Sequence, residues 1–175
     1  MGDRTSKLNL YKPAYGEAGA DWWDEINANF DILDDAMLNT ADPAPDDDHS
    51  VEGRVHTGTA GEALAFGQAV YLKSDGKYWK TDASAEATAK GMLRIVASES
   101  IGADASGLFA LPGTYIRDDT WAWTVGAPLF LDEATAGGLT ETAPSDTGDI
   151  VRVAGYARSA DIVFFDPSKT WVEVS

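Results

Sequence analysis

The sequence predicts a mainly β protein, with an extended amino-terminal arm and one amphipathic helix preceding a compact all-β sandwich or barrel domain. Three observations carry this. From about Val51 onward, short apolar runs alternate with turn signals at roughly ten-residue spacing. Within that region, "QAVYLKSDGKYWKT" (68–81) places a turn-forming "SDGK" between two apolar runs, the mark of a hairpin. Ahead of it, "ADWWDEINANFDILDDA" (20–36) repeats its apolar residues at helical rather than strand spacing.

The arm, residues 1–20, reads as extended chain because Pro13 and Gly16 break any helix through "LNLYKPAYG". It carries a net +1, Arg4, Lys7 and Lys12 standing against Asp3 and Glu17. The helix follows over residues 21–39. Asp21 is a suitable N-cap, and Asp24 and Glu25 fall in the first turn, where the helix dipole favours negative charge. Trp23, Ile26, Phe30, Leu33 and Met37 are spaced 3, 4, 3, 4, and Trp22 widens the stripe. Ordering such a helix is compensated only when its stripe is buried, so it must dock, either on its own β domain or on another subunit. Its six carboxylates oppose self-association (Asp21, Asp24, Glu25, Asp31, Asp34 and Asp35). The stiff acidic stretch that follows favours docking away from the β domain. We therefore expect Trp22, Trp23, Ile26, Phe30, Leu33 and Met37 to form an oligomerisation or anchoring interface.

That stretch, "ADPAPDDDHS", is a self-repelling linker over residues 41–50. The β domain occupies residues 51–175. Its expected strands lie in "RVHT", "QAVYL", "YWKT", "GMLRIVAS", "GLFALPGTYI", "APLFL", "GLTET", "DIVRVAGYA", "DIVFF" and "WVEV". Val70 and Leu72 alternate with Tyr71 and Lys73, and Val151 and Val153 alternate with Arg152 and Ala154. "DASAEATAKG" (82–91) fits one helical turn or a polar loop equally well.

Net charge is −16, with −10 of it concentrated in residues 21–50, which contain no Lys or Arg. Such a surface repels phosphate backbones and anionic lipid, which disfavours nucleic-acid partners. Cysteine is absent, excluding disulfides and thiol chemistry. No apolar run approaches the length of a membrane span, and "MGDRTSKLNLYKP" lacks the apolar core of a secretion signal, so synthesis and retention in the cytoplasm are expected before assembly.

Catalytic signatures are scarce. Any Ser-His-Asp arrangement would have to use His49, in the linker, or His56, in the first expected strand. Both read as ordinary surface or interface residues. "PDDDH" (45–49) offers hard ligands in Asp46, Asp47, Asp48 and His49, yet lacks the looped spacing of a calcium site and reads as a solvated charge run. The glycine turns have no following Lys-Ser/Thr, so phosphate binding is unsupported. No cofactor, metal or catalytic residue is expected. Among the aromatics Trp79, Tyr115, Trp121, Trp123 and Trp171, the pair in "DDTWAWTVG" stands out. If that segment is a strand, Trp121 and Trp123 share a face, with Ala122 opposite, and form a possible glycan-facing surface. A carbohydrate-active enzyme would need paired carboxylates beside them, and the sequence shows no such pair.

The amino-terminal segment resembles that of many bacteriophage fibre-type proteins, in which an "L-x-K-P" arm precedes a tryptophan and an "INxNFDxLD" helix. The matching positions are Leu10, Lys12, Pro13, Gly16, Trp22, Ile26, Asn27, Asn29, Phe30, Asp31, Leu33 and Asp34. The second half is similar in layout to phage capsid-decoration (cement) and head-fibre domains. It has a "VYL" strand, "APLFL", "GGLTET", "GDIVRVAGYA" and a final "DIVFFDP" return. The resemblance implies a non-enzymatic virion protein, commonly trimeric, on the outer surface of the particle and made in the host cytoplasm. Its amino-terminal part would attach to a major capsid protein or another virion protein, and its β part would project. Arg4, Lys7 and Lys12 could then pair with capsid carboxylates, or be solvated surface. The alternative is a short tail fibre or receptor-binding protein recognising a host-surface glycan.

Overall fold

The computed structural model describes residues 44–175 and, before them, only the backbone of two short strands. The chain divides into two compact units, Met1–Asp42 and Pro43–Ser175. In the first unit, β1 (Asp3–Arg4) pairs antiparallel with β2 (Tyr11–Lys12), setting Asp3 opposite Lys12 and Arg4 opposite Tyr11. The expected helix with Trp22, Trp23, Ile26, Phe30, Leu33 and Met37 lies outside the described residues, as does Lys7.

The second unit is mainly β, as expected. In chain order it contains β3 (Ser50–Glu52), β4 (Val55–Thr59), β5 (Leu64–Ala65), β6 (Ala69–Leu72) and β7 (Tyr78–Lys80). The single-turn helix α1 (Glu86–Ala89) comes next, followed by β8 (Leu93–Val96), β9 (Ser100–Ile101), β10 (Ser106–Ala110) and β11 (Thr114–Arg117). The remaining strands are β12 (Pro128–Leu131), β13 (Leu139–Thr140), β14 (Ile150–Val151), β15 (Val153–Ala157), β16 (Ile162–Phe165) and β17 (Val172–Glu173). Residues 82–91 thus do form one helical turn. Among the described residues, no helix is long and apolar enough to cross a membrane.

Two antiparallel sheets carry the unit. The first has the order β4-β10-β8-β6-β7, and the second β13-β12-β15-β16-β11-β3. Just beyond β4, Ala60 makes a parallel bridge to Tyr78 of β7, and the Gly61 N–H donates to the Tyr78 carbonyl at 2.8 Å. The two edges of the first sheet therefore meet, and the sheet curls into a small barrel. Val70, Tyr78, Val96 and Phe109 fill its inside, with Tyr78 stacked on Phe109 at 4.3 Å. The two-stranded ribbon β5–β9 adds Leu64 and Ile101 to this core.

The other face of the same strands packs on the second sheet. Ala69, Tyr71, Leu93, Ile95 and Ala110 share a core with Ile116, Leu131, Ala154 and Phe165. This explains why Ala69, Val70 and Tyr71 are buried in succession, as are Ile95 and Val96, and Phe109 and Ala110. A strand covered on both faces has no polar side, so its apolar residues run on rather than alternate. Tyr71, which the sequence pattern sets opposite Val70, is in fact as much a core residue as Val70.

β14 and β15 differ from the expected single strand. The alternation holds there with its sense reversed: Ile150, Arg152 and Ala154 are buried, while Val151 and Val153 are only partly covered. Between the two strands, which belong to different sheets, the Arg152 side chain is buried and bonded to backbone. Nη1 donates to the carbonyls of Ala89 (2.6 Å) and Gly91 (2.8 Å), and Nε donates to that of Ser168 (3.0 Å). The Trp171 ring lies 5.6 Å from the guanidinium carbon. Desolvation lowers the pKa of Arg152. The Ala89 carbonyl is at the end of α1, where a cation is electrostatically favoured.

The described part of the linker, residues 44–50, is held on the β unit. Pro45 is buried, and Arg117 Nη1 donates to the carbonyl of Asp46 at 2.9 Å. Asp48 Oδ1 accepts the Asp119 N–H at 2.8 Å, and His49 stacks on Phe66 with ring centroids 4.8 Å apart. Charge repulsion along "DDD" is therefore offset by backbone donors and by Arg117.

Replacing Arg152 with Ala should lower stability by about 3 kcal/mol, because three buried or partly buried carbonyls lose a charged donor. Urea unfolding of the two proteins measures this directly.

A cleft between the two sheets

The segment after β11 is not a strand. Asp118 starts it as a turn, with Oδ1 accepting both the N–H (2.9 Å) and the hydroxyl (2.5 Å) of Thr120. The Trp121 N–H then donates to the Asp118 carbonyl at 3.1 Å, and the Trp123 N–H to the Ala160 carbonyl at 2.8 Å. The Glu141 carboxylate accepts the Thr124 N–H. The expectation that strand alternation aligns Trp121 with Trp123 thus fails, yet the turn still brings their rings to 5.8 Å, tilted by 51°.

Both rings line a cleft of about 290 Å³. Phe66, Gly67 and Gln68, leading into β6, form one side, and Asp132 with residues 135–139, from the β12–β13 connection and the start of β13, form another. The cleft therefore sits where a loop of the first sheet meets loops of the second. Gly67 has φ +75°, and a Cβ there would lie 3.0 Å from the Trp121 ring, so glycine serves both the backbone and the close approach. Gly137 ties the opposite wall down, its N–H donating to the Thr81 carbonyl at 2.7 Å and its carbonyl accepting from Ala69 at 2.8 Å.

The two tryptophans play different parts. Trp121 packs against the core shared by the sheets. Trp123 is not part of that core, and its Nε1 is buried without a hydrogen-bond partner among the described residues. An aromatic wall with a carboxylate (Asp132) and an amide (Gln68) at its margin has the chemistry to hold an amphipathic ligand such as a sugar ring. Of the other aromatics singled out in the sequence, Trp79, Tyr115 and Trp171 do not line the cleft.

The remaining candidates are dispersed. Arg4 and Lys12 are placed by backbone alone. His56, on β4, shares a 2.8 Å hydrogen bond between its Nε2 and the Tyr78 hydroxyl. Asp46 and Asp47 are exposed. Asp48 is held below the usual carboxylate range, chiefly by the Asp119 N–H. The pKa of His49 is raised, chiefly by its hydrogen bond to Glu99. Sequence reading missed Phe66, Gln68 and Asp132, which carry no local signature. It also missed Asp118, whose place in "DDT" was readable as an Asp-initiated turn.

A carboxyl pair does exist, Glu133 with Asp149, although neither lines the cleft. The pKa of Glu133 is raised, first by its hydrogen bond to Asp149, then by desolvation and the Asp149 charge. A carboxyl with a raised pKa favours folding in acid and opposes it as pH rises through its folded pKa. Glu133→Gln should therefore stabilise the protein at pH 7, and the gain should shrink toward pH 4 in paired urea titrations. Trp121→Ala should cost about 3 kcal/mol of stability and Trp123→Ala about 1, since only Trp121 supports the core. Compared with models of known protein families and with curated proteins, the chain matches none.

Proposed function

We propose that this chain is a non-enzymatic structural protein of a bacteriophage particle, a capsid decoration (cement) or head-fibre protein on the outer capsid surface. Residues 1–40 attach it, the amphipathic stripe Trp22, Trp23, Ile26, Phe30, Leu33 and Met37 lies in a neighbouring subunit of a trimer or of the capsid, and the β unit is the exposed knob. The observation that supports this most is that Pro43–Ser175 is a compact unit whose two sheets cover each other's inner faces. Such a unit closes the core between its sheets with its own strands. The charge of −16 suits the outside of a shell better than contact with packaged DNA. A cement protein works through contact area between subunits and requires no bond-making chemistry.

The cleft at Trp121 and Trp123 favours a second reading, a short tail fibre or receptor-binding protein that recognises a host-surface glycan. Tailless capsids separate the two, because a decoration protein stays with them at high copy number and a tail fibre does not.

Deleting residues 1–40 should leave a folded β unit that no longer binds particles, read by circular dichroism and by co-sedimentation. Full decoration by the truncated protein would assign attachment to the β surface instead. In the full chain, Phe30→Asp should weaken assembly far more than a single change at Asp46, Asp47 or Asp48. If the second reading holds, Trp123→Ala should abolish retention on a glycan array while leaving particle binding intact.

A further inference from the structure

We propose that Asp48, His49 and Asp118 form a binding site for one divalent transition-metal ion of the zinc type, fastening the segment that enters the β unit to the turn after β11. Their candidate donor atoms lie within 4.8 Å of one another. His49 Nδ1 is 2.8 Å from Glu99 Oε2, a hydrogen bond that requires a proton on Nδ1, so in the neutral ring Nε2 is the acceptor. Nε2 then faces two carboxylates, Asp118 Oδ2 at 3.7 Å and Asp48 Oδ1 at 3.9 Å. Two ligands bound to one ion at about 2.1 Å each can stand up to about 4.2 Å apart, so both separations fit a shared ion.

The buried partner gives an independent reason to expect a cation. Asp118 is only 8% exposed, and its Oδ1 is occupied by Thr120. Its Oδ2 accepts no hydrogen bond among the described residues and points at His49 Nε2. A carboxylate on so nearly buried a residue, with one oxygen unpaired, favours a cationic partner. Every ligand is also braced from behind, as metal ligands characteristically are: His49 by Glu99, Asp118 by Thr120, and Asp48 Oδ1 by the N–H groups of His49 (2.9 Å) and Asp119 (2.8 Å). The imidazole cannot swing away freely, because it stacks on Phe66 at an interplanar angle of 20°. One imidazole and two carboxylates suit a first-row divalent ion completed by water, rather than calcium with its six to eight oxygens. The site is independent of the phage reading, and it joins chain positions 48–49 with 99 and 118.

The test uses the full chain, stripped with chelator and titrated with zinc chloride at pH 8 in 0.15 M salt. Calorimetry should show one ion per chain, and thermal unfolding should shift upward with zinc. His49→Gln and Asp118→Asn should each weaken binding by about 100-fold or more, and Glu99→Gln by about 10–100-fold. Asp46→Asn and Asp47→Asn should change nothing, which separates a built site from a diffuse acidic run. With cobalt in place of zinc, a visible absorption band should appear and be altered in His49→Gln. His49→Gln is the deciding variant should Asp118→Asn fail to fold, because His49 is partly exposed. Absence of saturable uptake overturns the proposal, leaving His49 as an ion-paired imidazole. So does uptake that survives His49→Gln, or that falls equally with the Asp46 and Asp47 changes.

Discussion

The central strands of the five-stranded sheet, β6 and β8, are covered on both faces, and the rest of the unit follows from that constraint. One face closes on itself around Phe109, Tyr78 and Val70, and the other lies on the second sheet through Tyr71, Leu93 and Ile95. Each buried face requires its own cover. The Ala60–Tyr78 bridge and the β5–β9 ribbon supply one, and the six-stranded sheet supplies the other. Polar groups caught at the seams must then be satisfied locally. Arg152 meets three carbonyls there, and the Thr81 hydroxyl donates to the Ala69 carbonyl at 3.1 Å.

The same constraint produces the binding features. Loops from both sheets converge beside the seam, where Phe66 turns one side of its surroundings to the cleft and carries His49 stacked on its ring. Asp118 links these two places. Its backbone starts the turn that positions Trp121, while its carboxylate faces His49. A change at Asp118 therefore reaches both the aromatic cleft and the entry segment, whereas Trp123 and Glu99 each touch only one.

Local chemistry was legible in the sequence, and long-range pairing was not. "SDGK" announced its hairpin because the turn is built within itself: the Lys73 N–H donates to the Lys77 carbonyl, and Asp75 Oδ1 accepts the Lys77 N–H. The mainly β expectation held because apolar runs and turns are local properties. Which way Arg152 points depends on carbonyls about sixty residues earlier, and periodicity carries no trace of them. The two-residue strands β5 and β9 are too short to show a period at all. For the cleft, the tryptophans were visible as a pair, but Phe66 and Asp132 reach them only through the sheet order. Likewise, the acidic run revealed Asp48 and His49, while Asp118 and Glu99 come from loops that only the fold brings near.

The proposed function places the apolar stripe of residues 21–38 against a neighbouring subunit. An electron cryomicroscopy map of the particle carrying this protein tests that most directly. The expected result is Trp23, Phe30 and Met37 buried against another chain, with the β unit projecting outward. A map showing that segment folded on its own β unit, with no contact to another chain, would contradict it.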